Sequence, residues 1–234
     1  LVQGVREGLD EAALAEHIGR AQSVLPQRLR RMLPVTQRGC YPELVLPERA
    51  IDPIPLADIM TFLRSRVGKL QGVVVSGGEP TVHDDLPEMI RDIKRLGFLV
   101  KLDTNGAHPG MLRQLFGEAL LDFVAMDIKG PLEKYQEIAA YPIDIEAISE
   151  SIQLIQQSGV EHEFRTTVVK SQLEPSDFAA IGKLVKGSPR FALQKFRPGR
   201  TLNPRFAREL TDADDEFAQS KQTMERYVDT CVVH

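Results

Sequence analysis

Short apolar runs rich in β-branched residues alternate along this chain with stretches whose apolar residues recur every three or four positions. The alternation predicts strands separated by helices. The strand Gly72–Val75 carries Val73-Val74-Val75, three β-branched residues in a row that suit a strand buried on both faces. After the turn Ser76-Gly77-Gly78-Glu79-Pro80, a helix is predicted over Asp84–Leu96. Asp84 and Asp85 are placed to cap it, and Leu86, Met89, Ile90, Ile93 and Leu96 share one face. The same reading predicts strands at Phe98–Leu102, Asp122–Met126, Glu163–Val169 and Arg190–Phe196. Helices fall between them at Gly110–Phe116, Leu132–Ile138, Ile145–Gln157 and Pro175–Val185. Ile145, Ile148, Ile152 and Ile155 line one face of the third, and Gly159 suits its C-terminal cap. Five strands separated by helices imply an α/β fold with a parallel sheet and right-handed crossovers. The pattern is compatible with both an open sheet and a partial barrel.

Outside this series the pattern changes. Leu9–Leu25 reads as an amphipathic helix with Leu14, Ile18, Ala21 and Leu25 on one face, and the basic cluster Arg28, Arg30 and Arg31 as a solvated face. Pro34–Pro55, with Pro42, Pro47 and Pro53 between its ends, reads as loop, and Leu56–Val67 as a helix with Ile59, Met60, Phe62 and Leu63 on its apolar side. Thr211–Val228 reads as a capped, charged surface helix. The expected organisation is therefore an N-terminal helical segment over residues 1–36, a core over 37–205, and a C-terminal helix and tail over 206–234.

Composition narrows the possibilities. At 234 residues the chain can form one sizeable α/β domain. Its 29 basic and 33 acidic side chains are balanced, which points to neither a nucleic-acid nor a membrane partner. Apolar runs are strand-sized, and with no apolar signal core at residue 1 a cytoplasmic location is expected. Two cysteines, Cys40 and Cys231, make no disulfide framework and fit a reducing compartment. Cys231 and His234 form a C-x2-H pair, too few ligands for zinc or iron.

Polar residues cluster at the predicted strand ends, where an α/β sheet binds ligands. These are Ser76-Gly77-Gly78-Glu79, Asp103-Thr104-Asn105, Asp127 with Lys129, and Arg165 within the fourth strand. Carboxylates and backbone carbonyls could hold an ammonium there, and Lys129 or Arg165 a carboxylate. Each has a plainer reading: Asp103–Gly106 as an Asx-type turn, Asp127 with Lys129 as a rim salt bridge, and Arg165 as the partner of a nearby acid. His83 and His108 fall in loops and read as solvated.

VVVSGGEPT, KLDTNG, FVAMDIKGPLEKY, EFRTTVV and FALQKFRPG, in this order and spacing, resemble the radical S-adenosylmethionine (SAM) family. Within it they are most similar to the glycyl-radical-enzyme activases that serve anaerobic ribonucleoside-triphosphate reductase. The resemblance implies a partial (β/α)6 barrel with parallel strands that holds a 4Fe-4S cluster and SAM at its C-terminal rim. It implies that an electron from the cluster, supplied by a donor such as flavodoxin or ferredoxin, cleaves SAM to a 5′-deoxyadenosyl radical. That radical takes a hydrogen atom from a glycine of anaerobic ribonucleotide reductase. By the same resemblance Gly77, Gly78 and Glu79 meet the methionyl amino group through the backbone, and Asp103, Asn105, Asp127, Lys129 and Arg165 belong to the SAM site. Asp103, Thr104 and Asp127 also border a monovalent cation in that reading.

The chain departs from the family at the cluster. Three thiolates spaced C-x3-C-x2-C would hold three irons and leave the fourth open. Here Gln37-Arg38-Gly39-Cys40-Tyr41-Pro42-Glu43 resembles the two flanks of that loop joined directly, with Cys40 as the single remaining candidate ligand. Leu1–Thr36 does not resemble the family's opening strand, which leaves the barrel's first strand unidentified in this reading. Two expectations follow: an activase impaired by loss of cluster cysteines, or a cluster-free barrel that binds SAM or a protein partner without radical chemistry.

Overall fold

A computed structural model describes residues 55–76, 78–139, 142–196 and 212–234. The expected helix Leu9–Leu25, the arginine cluster, nearly all of the Pro34–Pro55 loop, Cys40 and Gly77 lie outside these residues. Within them the chain runs α1 (Leu56–Arg66), β1 (Gly72–Val75), α2 (Leu86–Arg95), β2 (Leu99–Thr104), α3 (Pro109–Gly117), β3 (Phe123–Asp127), α4 (Tyr135–Ala139), α5 (Ile145–Gln157), β4 (Glu161–Val168), α6 (Pro175–Leu184), β5 (Arg190–Lys195), α7 (Asp214–Met224) and β6 (Thr230–Val233). Short 3₁₀ turns at Pro80–Val82 and Leu132–Lys134 precede α2 and α4.

The six strands are parallel and lie in the sheet in the order in which they occur in the chain. Every crossover therefore steps in the same direction, and crossovers of one hand place their helices on one face. This is the singly wound arrangement of a (β/α) barrel, not the doubly wound one of an open dinucleotide-binding sheet. Alternation along the strands agrees. Val100, Leu102 and Thr104 of β2 and His162, Phe164, Thr166 and Val168 of β4 are buried, while Lys101, Asp103, Glu163 and Arg165 between them face the other way. Phe164, Phe178, Phe191, Phe217 and Tyr135 are among the largest fully buried side chains.

Helix ends follow local chemistry. Asp144 accepts hydrogen bonds from the Glu146 and Ala147 amides at 2.9 and 3.3 Å and so caps α5. Gly159, at φ 72°, ends it as expected. Asp85 makes no side-chain cap to α2, because its φ and ψ of −87° and −1° are already helical.

Two expectations of the sheet are corrected. A sixth strand, β6, is present where the sequence suggested only a tail. Its four residues carry no periodicity of their own, and the strand exists because β5 lies beside it. The Lys195 amide donates to His234 O at 2.7 Å, and the His234 amide to Leu193 O at 2.9 Å. In β1, Val73 and Val74 are half-buried and Val75 alone is buried, since this strand stands at the end of the described sheet.

Candidate functional site

The turn after β1 is tied to the end of β2 by Glu79. Its carboxylate is 2% exposed. It accepts hydrogen bonds from the Thr81 amide (3.2 Å), Thr104 Oγ1 (2.7 Å) and the Asn105 amide (2.6 Å), and from the Thr81 hydroxyl. Burial pushes the Glu79 pKa above its ordinary 4.5, while these donors pull against the rise. The Glu79 side chain is thus spent inside the protein, which leaves the backbone of Gly78 and Glu79 as what this turn can offer a ligand. Asn105 is also committed: its Oδ1 accepts from the Ala107 amide at 2.8 Å in the expected Asx turn. Gly106 closes that turn at φ 75°, where a Cβ would lie 2.1 Å from the Met126 methyl.

Asp103, Asp127, Lys129 and Arg165 come together at the ends of β2, β3 and β4. The register sets Asp127 beside Arg165 and Asp103 beside Ala125 between them. Arg165 Nε donates to Asp127 Oδ1 at 2.5 Å, and Arg165 Nη2 lies 3.4 Å from Asp103 Oδ2. Lys129 Nζ reaches Asp127 Oδ2 at 3.5 Å. The segment after β3 is pinned by Thr166 Oγ1 donating to Ile128 O (2.7 Å), the Ile128 amide donating to Arg165 O (2.8 Å), and Tyr135 Oη donating to Asp127 O (3.3 Å). Burial alone would raise the Asp127 pKa, but the Lys129 and Arg165 cations outweigh it and hold the carboxyl below the usual range. The two acids in turn raise Arg165 further above its already high value, against burial.

Two cations and two anions leave this group neutral, and it is not saturated. Asp103 Oδ1 is buried and has no hydrogen-bond partner, and Lys129 makes one long contact. An acceptor without a hydrogen bond and a weakly engaged ammonium suit an amino group and a carboxylate on one ligand.

The donor set for a 4Fe-4S cluster does not fit. This chain has two cysteines, and three thiolates are needed. Cys231 is buried in β6, where burial pushes its thiol up to about 11. Among the described residues no group of three His, Cys, Asp or Glu side chains could hold a metal.

His83, read from sequence as solvated, is 3% exposed, and neither ring nitrogen has a partner. The loop after the Pro80–Val82 turn folds inward, which local sequence does not reveal. Burial lowers its pKa from 6.5 to about 4, with the Asp85 and Asp84 charges working against the shift. The unfolded chain therefore takes up a proton that the folded state refuses. This group's contribution to stability declines as pH falls from about 6.5 towards 4. A His83→Leu variant is expected to flatten that part of the pH–stability curve, measured by urea unfolding. His108 instead lines a cavity of about 570 Å³ with Asp84, Asp144, Glu146 and Glu150, none of which belongs to the charged group.

Sequence reasoning missed Lys101 and Glu163. Each sits two residues before a predicted site residue, Asp103 and Arg165, on the same strand face. The period of two along a strand was the signal that could have found them.

The Radical SAM superfamily model matches residues 40–184. A Methanocaldococcus jannaschii protein, named as a candidate glycyl-radical enzyme activating enzyme, is 34% identical over 166 residues, 69% of this chain and 69% of its own. A domain of pyruvate-formate lyase-activating enzyme from Bacteroides vulgatus superposes with a TM-score of 0.57 at 14% identity, over 70% of this chain and 98% of that one. Streptococcus suis SuiB superposes with a TM-score of 0.63 at 10% identity, and this chain spans 56% of it. At such identities the structural likeness is one of fold.

Proposed function

This chain belongs to the Radical SAM superfamily, and from that premise we propose that it binds S-adenosylmethionine at the C-terminal ends of β1 to β4, in the manner of a glycyl-radical-enzyme activase. The observation that carries the proposal is the buried Asp103 Oδ1, which has no hydrogen-bond partner, on a carboxylate whose other oxygen meets Arg165, itself paired with Asp127 beside Lys129. In this reading Asp103 Oδ1 and the backbone at Gly78 take the methionyl ammonium, with Gly77 beside it in sequence. Lys129 takes the carboxylate, and Arg165 holds the two acids in place and keeps Asp127 ionised. Glu79 and Asn105 shape the turns and do not reach the ligand by side chain. When bound, SAM supplies the sulfonium whose cleavage is the superfamily's chemistry.

The finer assignments rest on resemblance. A glycyl-radical enzyme as partner is supported by the named relative, and anaerobic ribonucleotide reductase by the motif series. The proposed core, residues 37–205, is completed by β6 from the 206–234 segment. Among the described residues no helix is long and apolar enough to cross a membrane, which accords with the proposed cytoplasmic location.

A second reading is favoured by the cysteine count. With two thiols and a 4Fe-4S requirement of three, this chain would bind SAM, or a protein partner, without radical chemistry. Titration calorimetry with SAM tests the binding claim. Saturable binding is expected, and the double variant Asp127→Ala, Lys129→Ala is expected to weaken it by about tenfold or more, roughly 1.4 kcal/mol per tenfold. No binding by the unaltered chain overturns the proposal. Anaerobic reconstitution with iron and sulfide, followed by EPR, separates the two readings: cluster uptake supports the activase, and none supports the cluster-free barrel.

A further inference from the structure

The charged group at the rim continues downward along the same face of the sheet. Lys101 Nζ lies 3.7 Å from Asp103 Oδ1 and 3.5 Å from Glu163 Oε1. Arg190 Nε lies 3.1 Å from Glu163 Oε2. From Arg190 through Glu163, Lys101, Asp103 and Arg165 to Asp127 the charge alternates at every step, across β2 to β5. Lys101, Asp103, Glu163 and Arg165 are shielded from solvent, with side-chain exposures of 28, 15, 13 and 17%. Lys101 is held between its two carboxylates and also sits over the Phe123 ring at 5.2 Å.

We propose that Lys101 and Glu163 are positioning residues for the ligand site. Lys101, itself anchored by Glu163, fixes the rotamer of Asp103 so that Oδ1 stays aimed at the ligand and Oδ2 stays against Arg165. The inference rests on the SAM reading above. A salt bridge at 3.7 Å is too long to satisfy Oδ1 by a hydrogen bond, so Lys101 orients this oxygen without consuming it. Glu163 in turn is held by Arg190 on its other oxygen, so Lys101 is anchored by a carboxylate that is itself fixed.

The sign of one substitution separates positioning from simple charge. Removing Lys101 makes the site more negative by one unit. If the array acted only through net charge, Lys101→Met would tighten binding of SAM, which carries net positive charge. Positioning predicts the opposite: about tenfold weaker binding by calorimetry, restoration by Lys101→Arg, and a Lys101→Met, Glu163→Gln double variant little worse than either single one. A measurement without ligand accompanies it. NMR order parameters at the Arg165 Nε–H are expected to fall in Lys101→Met, because Asp103 no longer holds its side of the guanidinium. Unchanged or tighter SAM binding in a folded Lys101→Met protein overturns the proposal. If that variant does not fold, the isosteric Glu163→Gln takes its place and is read by the Arg165 order parameters, because loss of a negative charge weakens SAM binding on either account: a fall in order is expected, and unchanged order overturns the proposal. Should the unaltered chain bind no SAM, the order parameters still decide: loss of Arg165 order upholds the array while the SAM reading falls, and unchanged order overturns both.

Discussion

Arg165→Met is expected to lower the unfolding free energy at pH 7 by about 3–5 kcal/mol, the cost of leaving buried charges without their partner. Arg165 is the one side chain that touches both Asp103 and Asp127 among the described residues. Methionine keeps most of the volume and removes the charge, so the loss reports electrostatics and not a cavity. The pH dependence gives the check. Asp127 titrates below its unfolded value near 3.8 because of Lys129 and Arg165. In the unaltered protein its ionisation therefore adds stability above that value, which is lost as pH falls through the lower folded pKa. The variant lacks the Arg165 share of this term and keeps that of Lys129. Its deficit should be greatest near neutrality and should narrow as pH approaches 3. Urea unfolding between pH 3 and 8 measures it, and a deficit that is constant with pH would refute the assignment. Adding Asp127→Asn to Arg165→Met should recover part of the loss, because it removes one of the stranded charges.

Glu79→Ala is expected to cost about 3 kcal/mol or more, since it strands the Thr81 and Asn105 amides and frees the Thr104 hydroxyl, each buried donor left unmade costing about 1–3 kcal/mol. Glu79→Gln should cost less but should not be neutral. Its amide group turns a donor towards one of the backbone N–H groups that the carboxylate accepted from. Here the pH trend runs the other way from Arg165→Met. Burial raises the Glu79 pKa above 4.5, so the folded protein holds this proton more tightly than the unfolded chain, and ionising it costs stability as pH rises. The glutamine variant is free of that cost, so its deficit relative to the unaltered protein should be larger near pH 4 than at pH 7. Because Glu79 joins the turns after β1 and β2, both substitutions should also weaken SAM binding, through misplacement of the Gly78 backbone.

The two residues were not equally legible. Asp103, Asp127, Lys129 and Arg165 could be singled out because a residue at the C-terminal end of a parallel strand is exposed at the rim whatever the rest of the fold does. The periodicity of Ile145–Gln157 specified that helix to the residue, since a single apolar face and a terminating Gly159 are both local signals. The direction of the Glu79 side chain was not legible, for the opposite reason. Whether its carboxylate turns outward or into the protein depends on donors in Thr104 and Asn105, 25 and 26 residues away. His83 was misjudged likewise, its burial being set by how its loop folds against the sheet.

What the chain's own order of residues determined was therefore everything with a short period or a fixed place relative to a strand end: the alternation of strands and helices, the rim positions, and the shortage of thiolates. Tertiary structure alone decided the six-strand order, the addition of β6, the inward turn of Glu79 and the alternating line of charges from Arg190 to Asp127. Each of these depends on pairs of groups far apart in sequence, and their energies appear only when neighbouring strands bring them within a few ångströms in a poorly solvated space.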